Sequence, residues 1–135
     1  THPPLAARRI QLRTDGPAQP VTVQGDEFLL RQALSNLLDN ALAFSPAGGT
    51  VVLALDERGG RARVGVHDQG PGVPDYAIGR VFERFYSLAR PEGGARSSGL
   101  GLPFVREVAR LHGGEAWLAN RAEGGAEAGL ALPLA

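Results

Sequence analysis

Two asparagines stand four residues apart, Asn36 and Asn40, inside the run DEFLLRQALSNLLDNALAFS. A side-chain amide oxygen is a neutral, hard donor. It can ligate Mg²⁺ and leave the rest of the shell to phosphate oxygens. Further along, VHDQGPG sets Asp68 just ahead of Gly70 and Gly72. Glycines let the backbone turn sharply beside a ligand, and a carboxylate there can accept a hydrogen bond from an exocyclic amine such as that of adenine. An Asx-type turn would use the same residues. In VFERFY, Phe82 and Phe85 read as packing residues and Arg84 between them as a phosphate partner, since guanidinium matches phosphate geometry. Finally, SSGLGLPFVREVARLHGG places Gly99 and Gly101 at the entrance of an amphipathic helix. Bare N–H groups and the helix dipole make such an entrance an anion site. It is neither of the common phosphate loops. No GxxxxGK[ST] occurs and the chain has no lysine; the dinucleotide fingerprint fails because Phe104 stands where its third glycine belongs.

These residues need elements to hold them. Asp26 is a good N-cap for a long helix, with Glu27 in its first turn. Leu30, Leu34, Leu37, Leu38 and Ala41 make its apolar stripe, Asn36 and Asn40 lie beside that stripe, and Pro46 with Gly48 and Gly49 ends it. Residues 50–56 and 62–68 read as a strand pair joined by ERGGR. Residues 76–88 carry Ile78, Val81, Phe82 and Phe85, enough for a short helix, and 87–98 have almost nothing to bury and read as a loop. PFVREVARLH is the second convincing helix, with Phe104, Val105, Val108 and Leu111 as its apolar face and His112-Gly113-Gly114 as its stop. EAWLANR and GLALPL read as closing strands. At the start, residues 8–13 and 21–25 are strand candidates that would pair as an antiparallel hairpin across TDGPAQP. Strands joined by hairpins, with the helices gathered elsewhere, give an α+β two-layer sandwich.

The bulk numbers exclude several classes. At 135 residues the chain reads as one domain, 1–135, able to bury a core without staples. Net charge is zero, so nothing points to nucleic acid. All 14 basic residues are arginine, which removes any mechanism needing lysine. Absence of cysteine removes disulfide scaffolds and thiolate metal sites. No apolar run approaches a membrane span, no signal peptide opens the chain, and THPPLAARRI reads as the start of a piece of something longer.

The order NxxxN, DxGxG, FxxF, GLGL resembles the ATP-binding domain of sensor histidine kinases, within the Bergerat-fold ATPase superfamily that includes gyrase, Hsp90 and MutL. The run IGRVFERFYSLARPEGGARSSGLGL looks like the CreC type of this family. The resemblance implies a mixed, mostly antiparallel sheet of about five strands on three helices. It also implies roles. Asn40 would coordinate Mg²⁺ and Asn36 would help set that shell. Asp68 would hydrogen-bond the adenine amine, Gly70 and Gly72 would shape the pocket, and Phe44 would flank the ring. Residues 87–98 would be a mobile ATP lid, poorly ordered when empty, with Arg84 at its base. Ser98, Gly99, Leu100, Gly101 and Leu102 would meet the phosphate chain. Asn36 and Arg84 are the candidates for the transfer step. Two departures stand out: Ala43 where the family often has Lys or Arg, and Ser97 for the first glycine of GxGLGL.

The implied activity is transfer of the γ-phosphoryl of ATP to a histidine on a separate dimerisation domain of the same protein, for relay to a response regulator. His2, His67 and His112 lack the helical acidic context of an acceptor and read as structural, so this piece would bind ATP without phosphorylating itself. ATPases of the superfamily carry a glutamate where Asn36 stands, and an amide cannot act as general base. The alternatives are a nucleotide-binding regulatory or scaffolding module without transfer, or a weak ATPase. The piece would be monomeric and cytoplasmic; its parent would be a homodimer anchored in the inner membrane.

Overall fold

The computed structural model describes residues 11–16, 20–45, 48–83 and 101–135, and for residues 11–13 and Phe44 the backbone alone. In order these form β1 (Gln11–Asp15), α1 (Glu27–Phe44), β2 (Thr50–Arg58), β3 (Arg61–His67), α2 (Asp75–Ile78), α3 (Gly101–Leu111), β4 (Glu115–Asn120) and β5 (Ala126–Pro133). The five strands make one sheet in the order β1-β2-β3-β5-β4. Every neighbouring pair is antiparallel except β1 and β2. Helices cover one face, which is the two-layer α+β sandwich expected.

Local chemistry explains the elements that hold the site. Asp26 caps α1 by accepting the Leu29 N–H at 3.0 Å. Glu27 faces the helix dipole favourably and pairs with Arg31 at 2.9 Å, although both side chains are 78% exposed and the pair adds little. Gly59 and Gly60, at φ 61° and 77°, close the β2–β3 hairpin in the left-handed conformation such two-residue turns require. The core gathers Ala33, Leu37 and Ala41 of α1, Val105, Val108 and Ala109 of α3, and Val51, Val66, Ala128 and Leu130 of the sheet. Truncating Leu37, 1% exposed, to alanine would cost about 2–5 kcal/mol.

Three expectations are corrected. Among the described residues no hairpin joins the two N-terminal strand candidates; residues 8–10 of the first lie outside them. β1, Gln11–Asp15, takes in Thr14 and Asp15 from the expected turn and runs parallel to β2 with Gln11 opposite Thr50. A parallel neighbour needs a long crossover, and α1 supplies it. Residues 21–25 pair with no strand; their alternation is satisfied by burial, since Val23 packs against the core. Leu111 is 74% exposed rather than part of the α3 apolar face. That face is centred on Leu102, Val105, Val108 and Ala109, and Leu111 falls at its margin, on the line through Phe104. The short helix expected over 76–88 is one turn, Asp75–Ile78, followed by turns to Glu83; the rest of that stretch lies outside the described residues.

Candidate functional site

Two hollows among the described residues bear on the site. The roomier one, about 390 Å³, lies between the first half of α1 and the sheet. Val21, Val23, Leu30, Leu34, Leu55 and Leu132 are among its walls, and Thr14 and Asp15 are its only polar lining residues. It has no convergent polar groups to orient a charged ligand. The other is a tighter cleft at the opposite end of the sheet, about 30 Å³. Asn40 of α1, Asp68 and Gly72 after β3, and Leu102 of α3 line it, over a floor that includes Val66, Leu118 and Ala128. Chemistry selects the smaller cleft.

Asp68 follows directly on β3. It is 5% exposed. Its Oδ1 accepts the Gly70 N–H at 2.9 Å and the Ala126 N–H at 3.2 Å. Both bonds use Oδ1, which leaves Oδ2 for a donor in the cleft. Burial pushes the carboxyl pKa above its ordinary 3.8, against the opposing pull of those two N–H groups and of the charges on Arg121 and His67. A carboxylate held in a dry wall with one oxygen uncommitted is suited to reading a neutral N–H₂ group.

Gly72, at φ 81°, turns the chain after Asp68. A Cβ there would come within 2.8 Å of Asn120 Oδ1. Asn120 explains the closeness: its Oδ1 accepts the Val73 N–H at 2.7 Å and its Nδ2 donates to the Val73 carbonyl at 2.8 Å. This clamp fixes the cleft wall. Gly125 does similar work behind Asp68, since a Cβ there would lie 2.0 Å from the Asp68 carbonyl oxygen. Sequence reasoning missed both residues. Each acts across a long separation, and only the GG pair in AEGGAEA hinted at a tight approach.

Asn36 is one bond removed from the cleft. Its Nδ2 donates to the Gly101 carbonyl at 3.3 Å, and its Oδ1 accepts from Gln32 at 2.9 Å. It ties α1 to the first residue of α3. Gly101 opens that helix, and a Cβ at Gly101 would meet no atom within 4 Å of the described residues. Neither crowding nor a positive φ calls for glycine here. The missing side chain leaves open space, among the described residues, beside the first turn of an 11-residue helix.

The structure therefore brings Asn40, Asp68, Gly72 and Leu102 to one cleft, with Gly70, Asn36 and Gly101 bonded at its edge. Arg84, Ser98, Gly99, Leu100 and the expected lid, 87–98, lie outside the described residues, as does the side chain of Phe44. Ala43 is buried, 6% exposed. No group of three or more His, Cys, Asp or Glu side chains able to hold a metal occurs among the described residues. A divalent cation would have Asn40 as a single neutral ligand here, a donor set that suits Mg²⁺ when substrate phosphates and water complete the shell. No helix among the described residues is long and apolar enough to cross a membrane.

Comparison with known proteins follows the same outline. The family described as "Histidine kinase-, DNA gyrase B-, and HSP90-like ATPase" matches residues 25–135. The sensor protein CreC of Escherichia coli (strain K12) is 49% identical over 128 residues, 95% of this chain and 26% of that protein. The chain thus spans about a quarter of the length of that curated relative. Among solved structures, the mycobacterial sensor histidine kinase MprB superposes with a TM-score of 0.81 at 34% identity, over 96% of this chain and 86% of the other. Full-length ShkA in complex with AMPPNP superposes with a TM-score of 0.79 at 32% identity, over 96% of this chain and 27% of the other.

Proposed function

The chain belongs to the histidine kinase-, DNA gyrase B- and HSP90-like ATPase family, and we propose that it binds ATP with Mg²⁺ in the Asp68 cleft and donates the γ-phosphoryl group to a histidine on a separate domain. The observation that carries this reading is convergence. An amide from α1, a carboxylate after β3 and the first turn of α3 meet at one hollow. ShkA, whose fold this chain shares, holds AMPPNP, an ATP analogue.

In this reading Asp68 Oδ2 accepts a hydrogen bond from the adenine amine. Gly72 and Val73, held by Asn120, form the wall beside the base. The N–H groups at the start of α3 face the phosphates, and Gly101 keeps their approach unblocked. Asn40 would hold Mg²⁺, which when bound supplies charge neutralisation at the phosphate oxygens. Asn36 fixes the α3 entrance relative to α1. Arg84, at the base of the proposed lid, adds a cation for the transferring group. In the transfer the bond from the γ-phosphorus to its bridging oxygen breaks, a phosphorus–nitrogen bond forms, and ADP leaves with the electron pair. Positioning and charge stabilisation are the protein's contribution.

The acceptor belongs elsewhere. Among the described histidines, His112 uses both ring nitrogens and His67 Nε2 contacts Glu127. A dimerisation domain carrying the acceptor, and a response regulator downstream, complete the proposed relay. With ATP as donor the domain works in the cytoplasm; a membrane anchor, and dimerisation, belong to the longer parent. The test joins this chain to its histidine-bearing domain and incubates the pair with γ-labelled ATP. Label on histidine supports the reading. ATP binding without label would leave a nucleotide-binding module that does no transfer.

A further inference from the structure

We propose that His67 and Glu127 are positioning residues for Asp68, and that through it they set the preference of the cleft for adenine over guanine. The inference rests on the ATP reading above and deepens it.

His67 and Glu127 are partners across β3 and β5. The next residues along, Asp68 and Ala126, meet through the backbone, where the Asp68 N–H donates to the Ala126 carbonyl at 3.0 Å. Successive side chains on a strand point to opposite faces. His67 and Glu127 therefore meet on the open face of the sheet, through His67 Nε2 and Glu127 Oε2. Asp68 meets the Ala126 N–H on the cleft side. The two contacts pinch the same end of the ladder from both faces.

The open-face contact has its own support. Glu127 Oε1 accepts from Trp117 Nε1 at 3.4 Å, so both carboxylate oxygens are engaged. The Arg63 guanidinium lies 4.5 Å over the Trp117 ring. Two cross-strand partners, Gly65 and Gly129, vacate the space beneath. A Cβ at Gly129 would sit 2.6 Å from the indole, and one at Gly65 would sit 2.9 Å from Glu127 Oε2. Solubility alone asks only for polar side chains on this face. Instead three strands contribute a seat for one glutamate. The side chains of His67 and Glu127 are 20% and 31% exposed, so water screens their contact only in part.

Base selection depends on where Asp68 Oδ2 points, and Oδ2 is aimed by the bonds of Oδ1. One of those bonds comes from Ala126, the neighbour of Glu127. If the clamp opens, the start of β5 is freed to move and the carboxylate loses its aim. Phosphate binding is untouched, because the α3 entrance is held separately by Asn36.

The test is calorimetric titration with ATP, GTP and inorganic tripolyphosphate, each with Mg²⁺. The variants are His67→Gln, Glu127→Gln, Asp68→Asn and the double variant His67→Gln/Asp68→Asn. Glu115→Gln, in the exposed Arg61–Glu115 pair at the far end of the sheet, is the control. The clamp variants should each lose about 3- to 10-fold in ATP affinity, as expected for one hydrogen-bonded contact. Their ATP-to-GTP ratio should fall alike, with tripolyphosphate binding unchanged. His67→Gln should add nothing on the Asp68→Asn background. Amide exchange at Ala126 should quicken in both clamp variants and not in the control. An unchanged ATP-to-GTP ratio, or a parallel loss of tripolyphosphate binding, overturns the inference. If Asp68→Asn weakens ATP while the clamp variants do not, the inference alone fails; if Asp68→Asn leaves ATP binding intact, the ATP reading fails with it.

Discussion

Replacing Asp68 with asparagine separates fold from function more cleanly than any other change in this chain. The asparagine carbonyl can still accept from Gly70 and Ala126, the two bonds that Oδ1 makes now. What changes is the second atom, which turns from an acceptor into an N–H₂ donor where the proposed reading puts the adenine amine. A hydrogen bond to a charged partner is worth about 1.5–3 kcal/mol, so ATP affinity should fall roughly 10- to 150-fold. Stability should move the other way. Burial holds the folded-state pKa of Asp68 above 3.8. The native state then binds more protons than the unfolded state between 3.8 and that raised value, and stability falls as pH rises through this window. At neutral pH the buried charge is a net cost. Asp68→Asn should therefore melt no lower than wild type there, and its melting temperature should lose the part of the acid-to-neutral decline that Asp68 causes. ATP binding by wild type should weaken as acid titrates the carboxylate from above. The assays are calorimetry with ATP and GTP, and thermal unfolding across pH. An asparagine variant that binds ATP like wild type, or that unfolds far below it at neutral pH, would refute the reasoning.

Asn40→Ala should abolish most of the Mg²⁺ dependence of ATP binding while leaving metal-free binding nearly unchanged, which calorimetry with and without EDTA checks. Gly101→Ala meets no neighbour among the described residues and sits in a helix, so it should stabilise the fold by about 0.4–1 kcal/mol in thermal or urea unfolding. The same variant should weaken ATP and tripolyphosphate together, because the methyl group enters the space the phosphates would use. His112→Ala should cost about 1–2 kcal/mol in urea unfolding, since its Nε2 accepts the Asp26 N–H at 3.0 Å and its Nδ1 meets the Val108 carbonyl at 2.7 Å. ATP affinity should change little in that variant, because the tie holds α1 at the end away from the cleft.

What the sequence made legible was mostly local. Asp26, Glu27 and the leucine spacing announce α1, and the paired glycines at 59 and 60 announce the β2–β3 hairpin. Asn36, Asn40, Asp68 and Gly101 could be picked out because their types are unusual for their elements. Their assembly could not be read from periodicity; it needed four ordered motifs considered together. The parallel placing of β1 was hidden because Val21 and Val23 alternate like a strand yet bury their side chains outside the ladder. Leu111 looked like core because helical spacing gives a stripe but not its width. Asn120, Gly125 and the His67–Glu127 clamp act across separations of 47 to 60 residues, where no local pattern reports them.

The central claim is that one cleft reads the base, the metal and the phosphates at once. Backbone amide shifts followed during titration of the isotope-labelled chain with ATP and Mg²⁺ test it most directly. The account predicts that Asp68, Gly70, Gly72, Gly101 and Leu102 shift together along a single binding curve, while Val21, Leu55 and Leu132 at the apolar hollow stay still. Shifts confined to the hollow, or separate curves for Asp68 and Gly101, would contradict it.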